Sequence, residues 1–85
     1  MRYIYIIKSK KFGNIYIGYT HNIVKRLNEH NLGKSEYTRK FLPWKVVYLE
    51  GYASEEEAKN REQKLKQFGR VYSQLKRRVR HSLES

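Results

Sequence analysis

Residues 2 to 8, Arg-Tyr-Ile-Tyr-Ile-Ile-Lys, carry aromatic and aliphatic groups in a run rich in β-branched residues, the pattern of a mostly buried strand. Lys10-Lys11-Phe12-Gly13-Asn14 has turn chemistry, since Gly and Asn both tolerate positive φ. Residues 15 to 20 read as a second strand, so the pair predicts a hairpin. A register that keeps Tyr5 opposite Tyr16 puts both rings on one face, because cross-strand partners share a face. Asn22 is the predicted N-cap of a helix ending near Asn31 and Gly33, with Ile23, Val24 and Leu27 as its apolar positions. The stretch from Leu32 to Pro43 is polar and basic and reads as a loop with room for one helical turn.

Trp44 to Tyr52 predicts a third strand, with Val46, Tyr48 and Glu50 alternating against Val47, Leu49 and Gly51. Ser54-Glu55-Glu56-Glu57 is a capping box: Ser54 caps, Glu57 reaches back, and the acids suit the positive end of the helix dipole. That helix is expected to run to about Phe68, with Gly69 as its stop. A last helix from about Arg70 to Leu83 places Val71, Leu75 and Val79 at i, i+4 and i+8. The order β-β-α-β-α-α predicts a small α/β domain around a three-stranded sheet. At 85 residues, the span 1 to 85 suits one domain with a single small core.

Charge narrows the choice of partner. Nineteen Lys and Arg face eight acids, all glutamate, for a formal net charge of +11. Such a chain favours polyanions through counterion release, and nucleic acid is the expected partner because the charge is spread along the whole chain. A membrane partner is not expected, since no stretch approaches the ~18 apolar residues of a span and no basic helix carries a broad bulky apolar face. No signal peptide is visible at the start. The absence of cysteine excludes a disulfide framework or a Cys-based zinc site and fits a reducing cytoplasm, the expected location.

Five residues are candidates for chemistry. Glu62 lies four after Ala58 and three before Leu65, on the stripe expected to face inward. A carboxylate directed toward a core edge is costly unless it is paired or binds a metal. A metal site, a salt bridge to an arginine such as Arg26, and a side chain that escapes to solvent all stay open. Arg26 and His30 share a helix face at i, i+4; the arginine fork suits two phosphate oxygens and the imidazole can take a proton near neutral pH, whereas the commoner outcome for such a pair is a surface arginine and a histidine that favours the helix C-terminal dipole. Tyr5 and Tyr16 are ordinary strand aromatics by default, but either can act as a base if a neighbour draws its proton away. Gly18 is expected to admit a substrate backbone or to mark a bulge, and Thr20 continues the same strand. The loop cations Lys34, Arg39 and Lys40, and the basic run with Lys76, Arg77, Arg78 and Arg80, are expected to contact nucleic acid.

Together, Tyr-Ile-Tyr at 3–5, Tyr-Ile-Gly-Tyr-Thr at 16–20, Lys-Arg-Leu-Asn-Glu-His at 25–30 and Arg-Glu-Gln-Lys-Leu-Lys at 61–66 resemble the GIY-YIG nuclease superfamily, specifically its compact single-domain bacterial members. The resemblance covers essentially the whole chain, in order. It implies a three-stranded antiparallel sheet flanked by helices and a divalent-metal-dependent endonuclease using Mg²⁺ or Mn²⁺, with DNA expected over RNA. Carried over by position, Tyr5 and Tyr16 are the motif tyrosines, Arg26 the phosphate-binding arginine, His30 the histidine one turn on, and Glu62 the metal ligand. Tyr5 assisted by His30 is the favoured base, and Lys66 matches a basic residue that often follows the glutamate. Tyr3 replaces the first glycine of the name motif. Ser73 and Gln74 stand where larger relatives have an asparagine, and a separate DNA-recognition domain is not expected. The rival expectations are a non-catalytic basic nucleic-acid-binding module on the same scaffold and a basic structural partner of a larger ribonucleoprotein.

Overall fold

The apolar run at the start of the chain becomes the middle strand of the sheet. In the computed structural model, which describes residues 1–67 and 69–84, β1 (Arg2–Ser9) lies between β2 (Ile15–Thr20) and β3 (Trp44–Tyr52), antiparallel to both. A central strand covered on both faces needs apolar residues at every position, and Ile4, Tyr5, Ile6 and Ile7 are all buried. On one face α1 (Ile23–Asn31) covers Tyr5, Ile7 and Trp44. On the other, α2 (Glu55–Gln67) and α3 (Gly69–Arg78) cover Ile4 and Ile6 with Ala58, Leu65 and Leu75. There are thus two apolar clusters back to back, where the composition suggested a single core. Fully burying each isoleucine is worth roughly 2 kcal/mol.

Several expectations are corrected in detail. Tyr5 pairs with Gly18, and Tyr16 pairs with Ile7. The register therefore differs by two residues from the expected one, and a two-residue shift keeps both rings on the same face. In β3 the register slips between Ile6 and Ile7, whose partners are Tyr48 and Val46. That bulge breaks the expected alternation: Val46 packs with Trp44 against α1, whereas Val47 and Tyr48 pack toward α2. In α1, Val24 is exposed, and the inward positions are Ile23, Leu27 and His30 at i, i+4 and i+7. Gly69 opens α3 instead of ending α2 in a left-handed conformation, and Phe68 lies outside the described residues. The last helix is divided at Val79 into α3 and α4 (Arg80–Glu84), although Val79 and Leu83 still hydrogen-bond four residues back.

The helix signals hold where they rest on local chemistry. The Asn22 side chain accepts the Lys25 N–H at 3.1 Å, and the Ser54 hydroxyl accepts the Glu57 N–H at 3.2 Å. Gly33, at φ +78°, ends α1 while the Leu32, Gly33 and Lys34 N–H groups take its last carbonyls. A short 3-10 helix, Thr38–Phe41, occupies the polar loop before β3. Across the sheet, Arg61 of α2 grips Glu50 of β3 with bonds of 2.9 and 3.0 Å. The Tyr48 and Tyr52 hydroxyls donate to the same carboxylate. Burial alone would raise the Glu50 pKa, but these hydrogen bonds outweigh it and hold the group below the usual carboxylate range. Among the described residues, no helix is long and apolar enough to cross a membrane.

Candidate active site

Tyr5 lies at the centre of the sheet, and its ring covers Gly18. A methyl group at position 18 would collide with the ζ-carbon and hydroxyl of Tyr5. The expectation that Gly18 lets a substrate backbone come close is corrected accordingly: the space over this glycine is filled by the phenol of the same protein. A glycine on β2 is what allows the Tyr5 ring to lie flat against the sheet.

The last turn of α1 brings His30 inward, where it is fully buried between two oxygens. Its Nε2 is 2.8 Å from the Tyr5 hydroxyl, and its Nδ1 is 2.7 Å from Thr38 Oγ1. Thr38 is itself fully buried, and its carbonyl accepts the Trp44 indole N–H at 2.7 Å. The Asn31 side chain brackets the Trp44 backbone, accepting its N–H at 2.7 Å and donating to its carbonyl at 3.1 Å. Helix, 3-10 turn and third strand thus lock the imidazole in one orientation. Thr38, Asn31 and Trp44 are absent from the sequence-derived site, because Thr38 sits in a polar loop with no periodicity to mark it as buried.

Burial pushes His30 down to about 4, assisted by repulsion from Arg26. Tyr5 is pushed up to about 12 by burial, against the pull of Arg26. At neutral pH both groups are therefore uncharged. This has a measurable consequence for stability. The unfolded chain takes a proton on histidine near the ordinary value of 6.5, whereas the folded chain refuses it until about 4. The contribution is complete above 6.5 and falls away as pH drops from there toward 4. It should amount to roughly 3 kcal/mol. Chemical unfolding as a function of pH should show this slope, and His30→Gln should flatten it. His21 and His81 are exposed, so a slope that survives the substitution would remove His30 as its source.

Tyr16 lies on the open side of this pair, 6.4 Å from the Tyr5 ring and 5.2 Å from the His30 ring between centroids. Arg26, one turn before His30, pairs with Glu29 at 3.3 Å and interacts with the Tyr5 hydroxyl. Burial works against the Arg26 charge, but hydrogen bonds to Tyr5 and Glu29 more than restore it. Glu62 stands at the rim of α2, a quarter exposed, while Ala58 and Leu65 on the same helix are buried. Its carboxylate pairs with Lys66 at 3.2 Å, and the Lys66 ammonium also lies 5.7 Å from the Tyr16 ring centroid. The Glu62 charge acts on the Tyr5 hydroxyl, raising its pKa. The structure therefore brings Tyr5, Tyr16, Arg26 and His30 into contact and leaves Glu62 at their edge, tied to Lys66 and not to Arg26.

The cations disperse. Lys66 is at the site, and Lys34, Arg39 and Lys40 are exposed around the 3-10 helix. Lys76, Arg77 and Arg80 line a separate open groove with Ser73, and Arg78 acts on the Tyr48 hydroxyl. Thr20 closes β2. Its hydroxyl is buried in the turn into α1, accepting the Asn22 N–H at 3.1 Å and donating to the Asn22 carbonyl at 3.2 Å.

Among the described residues no group of three or more His, Cys, Asp or Glu converges. The carboxylates that border the site are Glu62, paired with Lys66, and Glu29, paired with Arg26, both partly exposed. That donor set does not suit zinc, which takes three or four nitrogen and sulfur ligands. It fits Mg²⁺ or Mn²⁺, hard ions that bind through one or two carboxylates plus waters and substrate phosphate.

A family model described as the GIY-YIG catalytic domain matches residues 1–77. A UPF0213 protein from Streptococcus pneumoniae serotype 4 is 46% identical over 65 residues, covering 75% of this chain and 65% of that protein. The chain thus spans somewhat under two thirds of that relative. A UPF0213 protein from Staphylococcus haemolyticus is 42% identical over 69 residues, covering 80% of this chain and 83% of the relative. The solution NMR structure of a UPF0213 protein from Bacillus halodurans is similar at a TM-score of 0.54 and 36% identity, over 88% of this chain and 82% of that one.

Proposed function

The chain belongs to the GIY-YIG catalytic-domain family, a family of nuclease type, and from that premise we propose that it is a divalent-metal-dependent endonuclease that hydrolyses phosphodiester bonds in nucleic acid, DNA in preference to RNA. The observation that carries this reading is the buried chain Tyr5–His30–Thr38 ending beside Arg26 and within the field of Glu62. A protein that only bound phosphates would need the charge and not this arrangement.

The phosphate enters beside Arg26, whose guanidinium fork matches two phosphate oxygens and stabilises the charge that builds on them. The Tyr5 oxygen takes the proton of the attacking water while its own proton passes to His30 Nε2, with Nδ1–H donating to Thr38 Oγ1. The water oxygen bonds to phosphorus as the bond to the leaving 3′-oxygen breaks, that oxygen takes a proton from solvent, and His30 afterwards returns to solvent the proton it gained through Tyr5. In the free protein this proton transfer runs uphill, because burial raises Tyr5 and lowers His30. A phosphate beside Arg26 offsets the repulsion that the guanidinium exerts on a charged imidazole, so substrate binding itself favours the transfer. Tyr16, on the open side, orients the water or the phosphate. A divalent cation held by Glu62, with Lys66 displaced, would neutralise charge on the phosphate and the leaving 3′-oxygen.

The other reading, a non-catalytic basic binding module, is favoured by one feature: Lys66 already satisfies the Glu62 carboxylate. A cleavage screen over single-stranded, duplex, flap and branched substrates, with and without Mg²⁺ or Mn²⁺, separates the two. Metal-dependent cleavage is expected. Salt-sensitive binding with no cleavage of any substrate would establish the binding module instead.

A further inference from the structure

An aromatic ladder leads away from the site along the protein surface. From His30 it passes to Tyr16, then to Tyr37 at 6.1 Å and 25° between planes, to Phe41 at 5.3 Å and to Phe12 at 5.6 Å. Two of its members are not core residues: Phe12 is 57% exposed at the hairpin turn and Tyr37 is 46% exposed before the 3-10 helix. Bulky rings left this open on a chain so charged call for an explanation beyond packing. Beside the first step of the ladder runs an open groove of about 350 Å³, lined by Ile15, Tyr16, Ile17, Tyr37, Lys66 and Tyr72.

Charge follows the same path. Lys66 sits over the Tyr16 ring and Lys11 over the Phe12 ring, at 5.7 and 5.9 Å. Lys10, Lys34, Arg39 and Lys40 are exposed in the two segments that carry Phe12, Tyr37 and Phe41. Aromatic faces interleaved with cations are what an unpaired nucleic-acid strand binds: phosphates meet the ammonium and guanidinium groups, and bases stack on the rings. A paired duplex hides its base faces within its own stack and can use only the cations.

We propose that the ladder Tyr16–Tyr37–Phe41–Phe12 and the adjoining groove form a stacking platform for unpaired bases next to the scissile phosphate, so that the substrate is a strand, end or junction with a single-stranded segment. This deepens the nuclease reading and rests on it for the position of the scissile bond. The stacking itself does not depend on catalysis. Tyr16 belongs to both features, so a base stacked at the first step would set the adjacent phosphate beside Arg26 and Tyr5.

The test is equilibrium binding without divalent metal, at one fixed salt concentration, to oligo-dT, oligo-U and a blunt DNA duplex of matched length. Tyr37→Leu and Phe12→Leu keep apolar bulk, and with it the packing on Phe41, but remove the ring faces. Each should weaken single-strand binding by roughly 10-fold, within the range for one stacked base, and the double variant by more. Duplex binding should stay within about twofold, since its phosphates still meet the cations. Tyr37→Trp should retain single-strand affinity and show indole quenching on binding. Unchanged single-strand affinity in the double variant, or equal losses on single strand and duplex in variants with the parental melting temperature, would overturn the platform while leaving the nuclease reading intact. If the parent protein binds none of the three, both fail.

Discussion

Glu62→Gln is expected to lower metal-dependent cleavage by at least about a thousandfold while nucleic-acid affinity holds or rises. The amide keeps the volume and the hydrogen-bonding reach of the carboxylate but not its charge, and a hard divalent ion is held by that charge. The fold should not suffer. Glu62 is a quarter exposed at the rim of α2 and its partner Lys66 is nearly half exposed, so the lysine left behind is hydrated without difficulty. An ion pair this open contributes about 0–1 kcal/mol. Affinity should not fall, because a negative charge has been removed from the neighbourhood of the phosphates. Three measurements decide it: cleavage rate, Mn²⁺ affinity and binding to an uncleaved oligonucleotide. A variant that cleaves as fast as its parent would show that the activity belongs to another site or to a contaminant.

Gly18→Ala is the second large effect, and it deletes no functional group. The added methyl would occupy space already held by the Tyr5 phenol. Backbone on one side and ring on the other leave the tyrosine as the part that moves. Its hydroxyl then leaves the His30 Nε2, and a fully buried imidazole loses one of its two partners. Overpacking together with the unsatisfied nitrogen should cost about 3 kcal/mol in stability. A base displaced by an ångström should cost at least about 100-fold in cleavage. Tyr5→Phe placed on top of Gly18→Ala leaves the ζ-carbon in the contact and the His30 nitrogen unpartnered, so it should recover neither stability nor activity; because each single substitution already breaks the same Tyr5–His30 bond, the two should cost less together than their sum. Urea unfolding and single-turnover cleavage of the two single variants and the double variant measure this. Parental stability and parental rate in Gly18→Ala would show that the ring does not need to lie over the glycine.

These two predictions show how differently residues of one site announce themselves. Glu62 was legible because a carboxylate on an apolar helical stripe conflicts with its surroundings, and such a conflict can be read from spacing alone. Gly18 was visible as a glycine inside a strand, but its reason was not. Whether the missing side chain makes room for a substrate or for a neighbour depends on which residue lies opposite, and that depends on the register. Tyr5 facing Gly18, instead of Tyr16, supplies the answer. Thr20 is ambiguous for a related reason: a hydroxyl at a strand end can meet a phosphate or a backbone, and here the turn into α1 engages it. Thr38 gave no signal, since a threonine in a basic loop looks the same whether or not a histidine is buried against it.

What the chain determines by itself is local and periodic. The three strands, the Asn22 and Ser54 caps, the Gly33 stop and the order of elements follow from the side-chain pattern, because caps and periodicity act over four or fewer residues. The motif spacing likewise points to the family without reference to coordinates. The two-residue register, the bulge that turns Val46 away from Tyr48, and the break at Val79 required the packed structure. So did the joining of Tyr5, His30, Thr38 and Trp44 into one buried chain. Those features are settled by contacts between segments far apart in sequence, where the outcome depends on which surfaces fit against each other, and no short window of residues contains that information.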